Sequence, residues 1–194
     1  VGSPTFTGTT GAFAAQTELY GGVSKDVGIA NIELLAFSLI SAGEADGGAA
    51  VHARIGGNFG LTATASVIGR VAGQNVQAAP MAFAFLGPYV SVAVGARLTS
   101  DSSFSAVSPM VAASLHHGPL FVDVTAHTGE ERWAFSAAGP TILSFLFTTS
   151  RGFTATLGYG ATSNLTIFAQ AQREQLADGG SFQSLGLGAR FARR

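Results

Sequence analysis

His52, His127, Ser91 and Glu18 are the residue types of a serine–histidine–acid relay, and all four fall on the polar side of alternating segments. Such a relay needs the base within hydrogen-bond reach of the hydroxyl and a third group to orient it. No local motif fixes that geometry here, and serine is common throughout the chain, so coincidence explains the set better than a lipid hydrolase does. His116-His117 is the other cluster able to bind a metal. Neighbouring strand residues point to opposite faces, so both rings could ligate one ion only at a sharp bend. A histidine pair in a turn is the simpler reading. Cysteine is absent, which removes thiolate metal sites and disulfides alike. Gly56-Gly57-Asn58-Phe59-Gly60 lacks the strand–loop–helix setting of a nucleotide site and reads as a turn. The sequence therefore predicts no catalytic residue, no cofactor and no metal.

The charges gain meaning from the segments that carry them. Val90, Val92, Val94, Ala96 and Leu98 alternate with Tyr89, Ser91, Ala93, Gly95 and Arg97. The last third repeats this rule three times: Phe153 to Gly160, Leu165 to Gln172 and Ser184 to Phe191 each keep apolar residues on one side. Strict alternation over about ten residues, repeated with turns between, is the pattern of an antiparallel meander whose strands can cross a bilayer. Opposite the apolar set lie Glu18, Tyr20, Glu33, His52, Arg54, Tyr89, Arg97, Asp123, His127, Gln170, Gln172 and Arg190, with Glu174 near a strand end. If the apolar side meets lipid, these residues line a lumen. Acids and bases in similar number then predict a neutralised network, because an unpaired buried charge is costly.

Composition agrees. Charged residues are only 11% of the 194, against about 25% in soluble domains. No apolar run approaches the roughly eighteen residues of a transmembrane helix. The net charge of -1 leaves no basic footprint for nucleic acid. Against 15 Phe, Trp133 is the single Trp and there are three Tyr, a sparse interfacial girdle. Val1 opens the chain without a Met or a basic leader, which reads as a mature form after export.

Turns are expected at Ser24-Lys25-Asp26, Gly56-Gly57-Asn58, Gly87-Pro88, Asp101-Ser102-Ser103, His116 to Pro119, Ser150-Arg151-Gly152 and Ser163-Asn164. Longer polar loops are expected at Gly43 to Gly48, Ala72 to Ala79, Thr128 to Arg132 and Arg173 to Gly180. Pro109 predicts a bulge, and Ile32 to Ile40 reads as a strand with a short buried helix as the alternative. Together these give an all-β, single-domain, up-and-down transmembrane barrel of about twelve strands, with ten the competing count. Residues 1–10 form an N-terminal arm, 11–191 the barrel and 192–194 a tail.

The segments Gly87 to Val92, Ser108 to Leu115 and Ser184 to Phe191 resemble bacterial outer-membrane barrels, and within them the autotransporter-type translocator domain. There the closing strand carries a Gly-rich stretch and a basic residue before a terminal aromatic. The resemblance covers Gly11 to Phe191, and it implies a barrel in the Gram-negative outer membrane; no secretion activity is carried over from it. Ala192-Arg193-Arg194 follow the aromatic, a departure from the family's terminus, and no functional residue carries over.

The leading expectation is a structural or narrow-pore barrel in the outer membrane, in contact with membrane lipid and lipopolysaccharide, packed beside other subunits or copies of itself. A secreted, water-soluble β-sandwich that assembles into a shell or filament is the second reading. The lipid-modifying hydrolase is the third.

Overall fold

A computed structural model describes the backbone of residues 5–7, 13–41, 44–70, 73–101, 103–136 and 141–191, and the side chains of 21–38, 47–69, 74–101, 103–131, 148–181 and 183–190. The elements are β1 (Thr5–Thr7), β2 (Phe13–Val27), β3 (Ala30–Ser41), β4 (Glu44–Gly56), β5 (Phe59–Arg70), β6 (Gly73–Phe85), β7 (Val90–Ser100), β8 (Ser105–His117), β9 (Leu120–Ser136), β10 (Thr141–Gly160), β11 (Leu165–Leu176) and β12 (Ser181–Phe191). Each strand from β2 to β12 pairs antiparallel with its neighbours in the chain. The short β1 pairs with both β12 and β2, and so closes the sheet into a barrel. Closure excludes the β-sandwich reading. Residues 5–7, expected in a terminal arm, are part of the wall.

The alternation of the sequence becomes the two faces of that wall. Outward positions such as Val94, Val107, Val111, Leu157, Leu185 and Leu187 are exposed, whereas Thr64, Gln77, Ser108, Thr156, Gln170 and Gln172 on the inner face are buried. This inverts the usual soluble arrangement, and an exposed apolar belt around a closed barrel is the arrangement a lipid environment stabilises.

The strands run further than the expected loops allow. Ser24-Lys25-Asp26 lies in β2, with the turn at Gly28-Ile29, where Gly28 takes φ 61°. Residues 44–48, 73–79, 128–132, 150–152 and 173–176 are likewise in strands. Polar composition reads as loop, but a strand continuing past the apolar belt needs no alternation on its outer side. Ile32 to Ile40 is strand, with Phe37 buried on the inner face across from Gly48. Pro109 produces no bulge: it pairs in register with Ala96, and the β8–β9 ladder begins beside it at Met110↔His127. Its missing N–H thus falls where that ladder has stopped. Irregularities occur instead in β10: its ladder with β9 shifts register between Ser144 and Thr149 and again between Thr149 and Arg151, and on the β11 side Thr149↔Leu176 is followed by Arg151↔Gln175, leaving Ser150 as an extra residue.

One end of the barrel, here the turn end, carries the connections at 28–29, 57–58, 86–89, 118–119 and 161–164. At the far end β9 and β10 remain paired (Trp133↔Ser144 to Ser136↔Thr141) after β11 has ended at Leu176. A hairpin therefore overhangs that rim.

Candidate functional site

The inner face is the candidate site, and its far half is held by charge. Arg97 on β7 donates to Glu131 on β9 through Nη1 at 2.6 Å, and the two side chains are 7% and 0% exposed. His127 stands four residues back along β9, with Nδ1 3.4 Å from Glu131 Oε1 and Nε2 2.8 Å from Glu174 Oε2 on β11. Gln172 Nε2 donates to Glu174 Oε1 at 2.9 Å, and Ser184 Oγ on β12 donates to Gln172 Oε1 at 3.3 Å. One polar chain thus runs Arg97–Glu131–His127–Glu174–Gln172–Ser184 around the wall from β7 to β12.

Gly152 makes this chain possible. It lies on β10 between its ladder partners His127 and Glu174. A Cβ at Gly152 would overlap the Glu174 carboxylate. The missing side chain opens a lane through which Glu174 crosses an intervening strand to reach the imidazole. Glycine serves aromatic rings in the same way: a Cβ would overlap Phe37 at Gly48, Phe121 at Gly158 and Phe168 at Gly188. Each ring lies over a glycine of the adjoining strand, filling the lumen without crowding it.

Towards the turn end, on β3–β6, the chemistry changes. His52 Nδ1 is 2.9 Å from Thr64 Oγ1, and Thr62 Oγ1 is 3.3 Å from its Nε2. The Arg54 guanidinium lies over Phe83 at 4.4 Å and over Phe85 at 4.8 Å from the ring centroids. Arg190 Nη2 on β12 donates to Glu33 Oε1 on β3 at 3.1 Å, linking two strands that are not neighbours. On β9 near the turn end, Asp123 is buried, with His116 Nε2 3.6 Å from its Oδ1.

Of the residues expected to line the lumen, Glu33, His52, Arg54, Arg97, Asp123, His127, Gln170, Gln172 and Arg190 share the inner face of their strands. Glu18 and Tyr20 lie on β2, and their side chains fall outside the described residues. Tyr89 departs from expectation: it sits in the 86–89 turn, half exposed, with its ring edge-on to His117 at 5.0 Å. Glu131 was missed because residues 128–132 read as a loop; continuing the alternation past His127 would have found it.

Glu18 of the relay set lies outside the described side chains, and the other three residues do not meet. Among the described residues no serine hydroxyl bonds to His52 or His127, and Ser91 pairs across its ladders with Phe85 and Ser114. His116 and His117 part to opposite sides, one stacked on Phe121 and the other against Tyr89. No group of three or more histidines or acids suited to a metal occurs among the described residues.

Comparison with known proteins bears on the fold. No protein-family model matches the chain. No curated protein sequence matches it either. Solved structures do match over its whole length. A NanC porin superposes with TM-score 0.71 at 12% identity, covering 100% of this chain and 98% of that one. A KdgM porin superposes with TM-score 0.62 at 10% identity, with 100% of each chain covered. A KdgM porin in complex with disordered oligogalacturonate gives the same TM-score of 0.62. The chain is an all-β, antiparallel, up-and-down barrel with the fold of outer-membrane porins.

Proposed function

We propose that the protein is a narrow, non-catalytic channel in the bacterial outer membrane, passing small hydroxyl-rich solutes. The observation that carries this reading is the inversion of faces: an exposed apolar belt outside, and buried amides, hydroxyls and paired charges inside. Twelve strands lie between barrels of about eight, which side chains fill, and those of sixteen to eighteen, which hold an open aqueous channel. The inner network narrows such a lumen further. Fold likeness to porins supports a conducting rather than a scaffolding role.

The lining favours neutral sugars and short oligosaccharides over polyanions. Arg97 and Arg190 are each matched by a carboxylate, which leaves Arg54 as the inner-face arginine without one among the described residues. Thr62, Thr64, Ser66, Asn75, Gln77 and Thr99 supply donors and acceptors along β5–β7, and Phe83 and Phe121 supply flat faces. Of the resemblance read from the sequence, the outer-membrane barrel fold stands, and its autotransporter form is no part of this proposal.

Refolded protein should migrate differently on a detergent gel before and after heating, and should give small discrete conductance steps in a planar bilayer. Liposome swelling should be faster in neutral disaccharide than in a uronic-acid oligomer of equal size. Protein that stays in solution without detergent would overturn the membrane reading. An inserted barrel that neither conducts nor permits swelling would overturn the channel.

A further inference from the structure

The outer face collects charge in one place. Among the described side chains of the strands, the outward positions are apolar, small or uncharged, except for Lys25 near the turn end and three residues towards the far end: Glu130 on β9, Arg151 on β10 and Arg173 on β11. The extra residue Ser150 resets the alternation of β10, so that buried Thr149 is followed by exposed Arg151. Arg151 pairs across the ladder with Gln175, and its Nε donates to Gln175 Oε1 at 2.5 Å. Arg173 is two residues from Gln175 on the same side, and pairs across the other ladder with Gln183 of β12. No acidic partner is bound to Arg173 among the described residues. Glu130 lies further along β9, two residues past Thr128, the ladder partner of Arg151.

Height places these arginines at an interface. From Leu165 to Arg173, and equally from Tyr159 to Arg151, the strand advances about 27 Å, or about 21 Å along the barrel axis at a tilt of about 40°. An apolar belt is about 25 Å tall in such barrels, so the guanidinium groups stand at its upper edge. Exposed Phe153 lies beside Arg173, its ladder partner, and two residues below Arg151, while exposed Leu185 lies two residues below Gln183. Diagonal neighbours on paired strands are about 7–8 Å apart, which lets two long cationic side chains meet one tetrahedral anion. Guanidinium binds phosphate through two parallel hydrogen bonds, and the two glutamine amides add neutral donors.

We propose that Arg151 and Arg173, flanked by Gln175 and Gln183, form a binding site for the phosphate of a lipid headgroup, the chemistry carried by the lipid anchor of lipopolysaccharide. The site opens onto the apolar belt, so acyl chains can run down over Phe153 and Leu185 while the phosphate stays at the rim. This inference rests on the outer-membrane reading above.

The test uses the full chain in zwitterionic phospholipid vesicles doped with labelled lipopolysaccharide or with the same lipid stripped of phosphate. Lipid retained after detergent extraction is compared for the native protein and the Arg151→Gln/Arg173→Gln pair. The native barrel should retain the phosphorylated form about tenfold better, and the double variant should lose that preference. Millimolar inorganic phosphate should not displace the lipid. Equal retention of both lipids, an unaltered preference in the double variant, or displacement by free phosphate would each overturn the site. Heat-modifiable migration is read on the same samples. Failure to insert would sink the membrane reading itself, whereas insertion without phosphate preference sinks only this inference.

Discussion

The two halves of the inner wall solve the same problem by different means. On β7–β12, Arg97, Glu131, His127 and Glu174 are withdrawn from solvent and compensate one another directly. On β3–β6, His52 rests on two threonine hydroxyls and Arg54 on two phenylalanine rings, while Glu33 reaches to Arg190 at a rim where the arginine is 50% exposed. In the first half each charge depends on its partner, because the alternative is an unsolvated ion. In the second half water is close enough to replace a lost partner. Equal-looking ion pairs should therefore differ several-fold in what their removal does.

The sharpest way to break that contrast is to remove Arg97. Arg97→Met leaves Glu131 fully buried with its main partner gone, and a broken buried pair typically costs about 3–5 kcal/mol. Urea titration of the vesicle-embedded barrel, followed by gel migration, should show a large fall in the midpoint. The Arg97→Met/Glu131→Gln combination should recover most of the loss, since no orphan charge then remains. If the single variant unfolded like the native chain, the far half would be as wet as the near half.

A smaller effect is expected at Gly152. Gly152→Ala drives a methyl group into the lane used by Glu174, and overpacking of this kind costs about 1–3 kcal/mol. The loss should shrink when combined with Glu174→Gln, because the carboxylate no longer needs to reach His127. Additive losses would mean that the alanine acts on the backbone alone.

How much of this was written in the sequence depends on where alternation stays clean. In β7, β11 and β12 every second residue could be assigned to a face, and Arg97, Gln170, Gln172 and Arg190 followed at once. The rule fails at β9–β10 for a physical reason: Ser150 is an extra residue, so the side that Thr149 occupies is not the side two residues on. Hence Arg151 read as a turn residue and Glu131 as a loop acid, although one marks the outer rim and the other is the most buried charge among the described residues. The pairing of His127 with Glu174 was also hidden, since it spans β10 and depends on a glycine that looks like any other. Alternation reveals which face a residue takes; it carries no information about which strands lie side by side at a given height.

The mildest perturbation is the most revealing about function. Arg190→Ala removes a cation that is half exposed and joined to a Glu33 side chain only 20% exposed. Pairs of this kind contribute at most about 1 kcal/mol, because water screens each partner and can solvate the one left behind. The urea midpoint should barely move. Conductance should respond more, because the pair joins β12 to β3 past β1 and β2, and so lies across the mouth of the lumen at the turn end. Opening that link removes two tethered side chains from the path and leaves Glu33 free, so the step size should rise and the preference should shift towards cations. Neutralising the other partner with Glu33→Gln should also enlarge the step but shift the preference towards anions. A stability loss as large as that of Arg97→Met, with unaltered conductance, would make this pair a structural clasp and erase the distinction between the two halves.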